Sequence, residues 1–226
     1  MNLLAIDTAT DRLSTALSAG SDTWLFEADA GLRHSELIMD SIDMLLQKAG
    51  LKPGDLSGIV CMGGPGSFTG LRIGFAVAKG LALSLNIPFT AIPTLDCMAW
   101  PFSAWPGIVV PVIDAKKSAF FCSMYRSGTA LTPGMDVGPA EIARILAAVP
   151  APNHALLIGP GAPLLFEQLS GTEGIELGKD LRWGNAGTLL RITQKTGMAQ
   201  TAADYSRGPV YIRKSDAEIN LETILP

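Results

Sequence analysis

Histidine is nearly absent from this chain: His34 and His154 are its two examples. No H-x-x-x-H or H-E-x-x-H pair can be made from them, which removes the helical metal sites that such spacing supports. Cysteine is scarce as well. Cys61, Cys97 and Cys122 lie far apart, no pair has metal-ligand spacing, and the odd count fits a reducing compartment better than a disulfide framework. Charged residues make up only 17% of the chain, and their net charge is −4, which excludes a basic surface that holds nucleic acid unaided. Clean apolar runs of membrane length are missing too. The stretch 71–113 is broken by Lys79, Pro88, Pro93, Asp96, Pro101, Pro106 and Pro111, so it lacks the roughly 20 residues of a span. The N-terminus meets Asp7 at once and has no basic run, unlike a signal peptide. These absences predict a cytoplasmic protein with no membrane contact.

Familiar catalytic and phosphate motifs are also missing. Counting from Gly63, Gly64 or Gly66, no Lys stands where a G-x-x-x-x-G-K-[ST] loop requires it. G-x-G-x-x-G fails because Thr69 occupies the last glycine's place. G-x-S-x-G fails because Pro65 precedes Gly66 and Gly70 comes one place late. A Ser-His-acid set has no visible assembly around Ser67 and His34. The expectation is therefore that the chain carries no catalytic residues and no metal.

What is present is apolar material, 48% of 226 residues, enough for one large domain or two lobes. Its centre is Gly63-Gly64-Pro65-Gly66-Ser67-Phe68-Thr69-Gly70-Leu71-Arg72-Ile73-Gly74. The run 58–62 before it reads as a buried strand, and 71–85 after it as a helix. The glycines permit a tight turn, and Ser67 or Thr69 can cap the helix. Such a turn either holds an anion or serves packing alone. Within the helix, Gly70, Gly74, Ala78 and Ala82 recur every fourth residue, beside Leu71 and Phe75. A helix apolar nearly all round is covered on more than one side. The stripe packs either within the chain or against a second protein. With Ile38, Ile42 and Leu45 from a helix at 36–49, capped by Ser35, it forms the expected partner interface.

Strands at 3–6, 13–19 and 23–28 form a predicted meander, and Phe89 to Ile92 a further strand. After the Trp- and Pro-rich stretch 100–107 the chain starts over. Val110-Pro111-Val112-Ile113-Asp114-Ala115-Lys116 echoes Leu3-Leu4-Ala5-Ile6-Asp7-Thr8-Ala9. A helix at 139–149, a strand at 155–158, the turn Gly159-Pro160-Gly161 and a helix at 163–169 repeat the first half's order. A helix at 186–196 and a short strand, Val210-Tyr211-Ile212, follow. The prediction is an α/β protein of two duplicated lobes, 1–103 and 104–226.

Duplicated lobes that each open with a strand ending in Asp resemble the actin, hexokinase and Hsp70 superfamily. Ile6-Asp7-Thr8-Ala9-Thr10, His34-Ser35-Glu36, Gly64 to Gly74, Val112 to Lys117 and Tyr211-Ile212-Arg213 together resemble the TsaB (YeaZ) family. That resemblance implies a non-catalytic paralogue of the TsaD transferase, which modifies adenosine 37 of tRNA. It implies pairing with a TsaD-type transferase and a TsaE-type ATPase, a homodimer when alone, and tRNA met only indirectly. No cofactor is then required; weak ATP or ADP binding in the complex would involve Asp7, Thr8, Asp114, Gly159 and Gly161. The competing reading is an ATP-dependent small-molecule kinase of the same superfamily.

Overall fold

The computed structural model describes residues 1–149, 154–179, 184–197 and 208–213. Its first half runs β1 (Leu3–Asp7), β2 (Arg12–Ala19), β3 (Asp22–Asp29), α1 (His34–Ala49), β4 (Gly58–Met62), α2 (Phe68–Leu85), β5 (Phe89–Ile92) and α3 (Thr94–Ala99). The sheet order is β3-β2-β1-β4-β5, antiparallel through the meander and parallel from β1 to β5. Every residue of β1 is buried, because a central strand is covered on both faces. Alternation splits its side chains. Leu4 and Ile6 join Ile38, Ile42, Leu45, Phe75, Ala78 and Ala82 beneath α1 and α2. Leu3 and Ala5 point the other way.

The second half repeats this plan with β6 (Ile108–Asp114), β7 (Phe120–Cys122), β8 (Tyr125–Arg126), β9 (Thr129–Ala130), β10 (Met135–Val137), α4 (Pro139–Ala148), β11 (Ala155–Ile158), α5 (Ala162–Gln168), β12 (Ile175–Leu177) and α6 (Ala186–Thr196). Its main order, β10-β7-β6-β11-β12, matches the first sheet strand for strand, with β8 and β9 as an added ribbon. β1 and β6 are therefore equivalent central strands, each antiparallel to its successor and parallel to the strand after the first long helix.

The third helix of each repeat crosses over. α6 puts Ala186, Leu189, Leu190 and Ile192 on Leu3, Ala5, Ala16, Val60 and Met62, the second face of the first sheet. α3 puts Leu95, Met98 and Ala99 on Val109, Ile113, Leu156 and Ile158 of the second sheet. Residues 186–196, expected in the lobe 104–226, thus belong to the first core. The reason is the exposed apolar face that β1 would otherwise present.

Two local expectations change. α1 begins at His34 with Arg33 at its N-cap and no side-chain cap, so Ser35 lies inside the helix and exposed. A turn from the Ala30 carbonyl to the Arg33 N–H turns the chain into the helix and leaves His34 buried. Val210-Tyr211-Ile212 forms no strand, and Ile212 lies in a bend; the Val210 N–H donates to the Gly63 carbonyl at 2.8 Å.

Candidate functional site

The glycine turn is built for close packing. The Gly63 N–H donates to the Ile92 carbonyl at 2.7 Å, and the Gly64 N–H to Thr94 Oγ1 at 3.1 Å. The Ser67 N–H donates to the Ala9 carbonyl at 2.7 Å. Gly64 has φ +95°, and a side chain there would strike the Val210 carbonyl; one on Gly66 would strike that of Ala9. Ser67 Oγ caps α2 by accepting from the Gly70 N–H at 3.2 Å.

The small-residue stripe of α2 faces inward. A Cβ at Gly70 would collide with the Thr8 carbonyl, and one at Gly74 with Thr8 Oγ1, which donates to the Gly70 carbonyl at 2.7 Å. Gly70, Leu71, Gly74, Phe75, Ala78 and Ala82 are all buried, as are Ile38, Ile42 and Leu45 of α1. The nine positions expected at a partner surface are therefore the inner lining of the first lobe. Periodicity finds the most apolar face of a helix, and here that face meets the lobe's own sheet.

What α2 turns outward is still apolar. Ala76, Gly80 and Leu83 are exposed and Ile73, Val77 and Leu81 are half-buried, with Thr69, Arg72 and Ser84 as the exposed polar residues and Lys79 half-buried. Leu83 is 59% exposed. Beside it on the same sheet face, α1 exposes Met39 and Met44, at 49% and 45%. Among the described residues, α2 is the one helix long and apolar enough to cross a membrane, and its inner stripe is committed to the lobe's core.

Between the lobes lies a cleft of about 740 Å³, bordered by the 9–12 turn, the 65–68 turn, Asp114 to Lys117 and residues 210–213. The superfamily likeness places a nucleotide phosphate here, and the positions it names can be tested one by one. Asp7 is 1% exposed. Its Oδ1 accepts from the Ala9 N–H at 3.0 Å, and its Oδ2 from the N–H and Nδ2 of Asn185 at 2.9 and 3.1 Å. Burial pushes its carboxyl above the ordinary range, against the pull of these donors and of nearby His34. Thr8 is buried under α2. A Cβ at Gly159 would strike Met98, and one at Gly161 would sit 2.7 Å from the Asp114 N–H. The Gly161 N–H already donates to the Val112 carbonyl at 2.9 Å. Asp114 alone faces the cleft, where it takes the Lys116 N–H at 2.7 Å and its Nζ at 2.8 Å. Those contacts hold its carboxyl below the ordinary range. The N–H groups of Ala9, Gly63, Gly64, Ser67, Lys116 and Gly161 are all spent within the chain. Of the five positions that the resemblance names for a nucleotide, Asp114 is the one that lines the cleft.

No group of three or more His, Cys, Asp or Glu side chains among the described residues could hold a metal. His34 sits in the first lobe and His154 in the second, before β11, where it is exposed 3.8 Å from Glu176.

Sequence reasoning missed three clasps. Asp7 holds Asn185, the residue before α6, and half-buried Glu27 takes the Gly184 N–H beside it. Tyr125 donates from its hydroxyl to Asp96, joining β8 to α3. Arg213 donates from Nε and Nη2, one edge of its guanidinium, to both Asp136 oxygens at 2.6 Å each. Partners 29 to 178 residues apart leave no local signal.

Over residues 28–156 the sequence matches the family described as TsaD: tRNA N6-adenosine threonylcarbamoyltransferase. The tRNA threonylcarbamoyladenosine biosynthesis protein TsaB of Bacillus subtilis (strain 168) is 32% identical over 228 residues, covering 96% of this chain and 96% of that protein. YeaZ from Pseudomonas aeruginosa superposes with a TM-score of 0.75 at 23% identity, covering 93% of this chain and 99% of that one. The ethanolamine utilization protein EutJ from Carboxydothermus hydrogenoformans superposes with a TM-score of 0.52 at 10% identity, covering 84% of this chain and 89% of that one. The two structural likenesses show the fold alone, an α/β protein with two sheets.

Proposed function

The chain belongs to the TsaB (YeaZ) family of tRNA threonylcarbamoyladenosine biosynthesis, and we propose that it serves there as a non-catalytic subunit which pairs with the TsaD-type transferase. The observation that carries this reading is the outer face of α2, where Ala76, Gly80 and Leu83 are exposed beside half-buried Ile73, Val77 and Leu81. The half-buried three pack in part on the lobe's own core, and an exposed apolar face of this kind marks a docking surface. Gly80 has open space beyond its Cα, so a partner helix can come close. Two helices from each partner would form a four-helix contact of standard size, roughly 1,600 Å² in total. The same face would serve a homodimer when the transferase is lacking. A TsaE-type ATPase is the second partner, tRNA is reached through the transferase, and the work is done in the cytoplasm.

Two contacts support the non-catalytic reading. The carboxylate that lines the cleft, Asp114, is tied to Lys116, and Asp7 is sealed beneath α6. The N–H groups of Ala9, Gly63, Gly64, Ser67, Lys116 and Gly161 are engaged within the chain, which favours this reading over a kinase. We propose that the subunit works without a nucleotide of its own, and the purified chain should neither retain nor turn over ATP.

The decisive experiment is a pull-down from the native cytoplasm with wild type and with Ala76→Arg/Gly80→Arg. Both sites are exposed, so the variant should fold normally by circular dichroism. It should lose the transferase by roughly thirtyfold or more in affinity, as disruption of a central contact does. A folded variant that binds at full affinity would overturn the assignment of this face.

A further inference from the structure

Residues 208–213 touch both lobes. At the first lobe, the Val210 N–H donates to the Gly63 carbonyl at 2.8 Å, and its carbonyl lies where a side chain on Gly64 would be. Tyr211 packs on Phe68 of α2 with ring centroids 4.7 Å apart. Arg72 lies 3.8 Å over the Phe68 ring and donates from Nε to the Tyr211 hydroxyl at 3.3 Å. At the second lobe, Arg213 donates to both Asp136 oxygens on β10 and to the Ala115 carbonyl, at 2.6 Å each. Between the two ends, Ile212 Cδ1 lies 2.8 Å from the place a Cβ on Gly134 would take. Val210, Tyr211, Ile212 and Arg213 all line the cleft.

The far anchor grips a strained turn. Lys116, Lys117 and Ser118 are three successive non-glycine residues in the left-handed region, at φ +60°, +55° and +57°. Side-chain sterics disfavour that region, so such a run persists only where surrounding contacts hold it. The contacts here are the Lys116 N–H to Asp114, the Ala115 and Ala119 backbone bonds across the turn, and Arg213 on the Ala115 carbonyl.

We infer that residues 208–213 form a strap which fixes the angle between the lobes and keeps the 114–119 turn in its strained form. A bidentate guanidinium–carboxylate pair is the strong, orientation-specific kind of ion pair, and here it is largely shielded from water. An aromatic stack with a guanidinium on its face secures the other end. The strap joins α2, whose outer face bears the proposed docking surface, to the second lobe by a route separate from α3 and α6. It stands on these contacts whether or not that docking surface is used.

Hydrogen–deuterium exchange of the full-length protein tests this, with Arg213→Ala and, at the other anchor, Tyr211→Ala. In Arg213→Ala, amides in 114–122 and 208–213 should exchange about tenfold faster, while those of β1 and β4 stay at wild-type rates. Spin labels at Ser84→Cys and Glu173→Cys, both exposed, report the lobe separation; Cys61, Cys97 and Cys122 are buried and stay unlabelled. The narrow wild-type distance distribution should broaden in either variant. Reversing the pair as Arg213→Asp/Asp136→Arg should narrow it again. An unchanged distribution and unchanged exchange in Arg213→Ala would overturn the strap. If Arg213→Ala does not fold, Tyr211→Ala decides: broadening supports the strap and a wild-type distribution overturns it.

Discussion

Asp7 illustrates how a residue can look catalytic and be structural. It ends a central strand at a position where the sequence suggested contact with a nucleotide, yet its oxygens hold the chain just before α6. Burial raises the folded-state affinity of Asp7 for protons, and burial raises that of Glu27 too, with a smaller push from the charge on Asp7. The sign follows from linkage. Above the unfolded carboxylate range, near pH 4, the folded state retains protons that the unfolded state has released, so stability falls as pH rises through the raised folded values. Asp114, half-buried at the cleft and lowered by Lys116, works in the opposite sense: its contribution is present above the unfolded range and lost as pH falls through its folded value, weakened by solvent screening of the exposed Lys116. Denaturant titrations across this range should show wild-type stability declining on the alkaline side, and Asp7→Asn should flatten the slope. A variant profile parallel to wild type would show that Asp7 is not the group responsible. Asp7→Ala orphans the Ala9 and Asn185 donors and should cost about 1–3 kcal/mol at neutral pH.

At the scale of the element, α2 has two faces with opposite tolerances. Gly74 lies against Thr8, whose hydroxyl is engaged with the Gly70 carbonyl, so Gly74→Ala must displace a buried bonded side chain. The cost should be about 1–3 kcal/mol. Gly80 has nothing within reach of a Cβ and ordinary helical backbone, so Gly80→Ala should stabilise by up to about 1 kcal/mol through helix propensity. Thermal or chemical denaturation of both variants reads the contrast. Equal effects would mean that the helix is turned differently. Gly74→Leu, attractive from the sequence as a probe of partner binding, is by the same contacts a probe of the lobe's own core.

At the scale of the whole molecule, the two lobes are not independent halves. Each sheet has one face covered by its own pair of long helices and the other by the third helix of either copy, α6 for the first sheet and α3 for the second. A fragment of residues 1–103 therefore leaves Leu3, Ala5, Ala16, Val60 and Met62 without α6. Uncovered apolar surface on that scale drives aggregation. The fragment should be insoluble or lack cooperative unfolding, measured by sedimentation and a thermal melt, and adding 184–197 in trans should not be needed by the intact chain. A soluble, cooperatively folding 1–103 would show that α6 is dispensable to the first core.

The sequence by itself determined the class and the repeat, because both rest on local physics. Alternation and apolar runs mark β1, β4, β6 and β11, helical periodicity marks α1 and α2, and the echo of Asp7 in Asp114 marks the duplication. The glycine turn was legible as a tight strand-to-helix junction capped by Ser67. Whether its donors faced an anion or the chain was decided only when Ala9, Ile92 and Thr94 arrived from elsewhere. The faces of α2 were likewise undecidable from periodicity, since a helix apolar all round gives no contrast between core and partner. Tertiary structure chose, by laying the small residues on Thr8 and leaving Ala76, Gly80 and Leu83 outside. Asp7 with Asn185, Asp136 with Arg213 and the crossing of α6 depend on contacts between distant positions, and no local pattern of residue types encodes which distant partner a buried carboxylate will find.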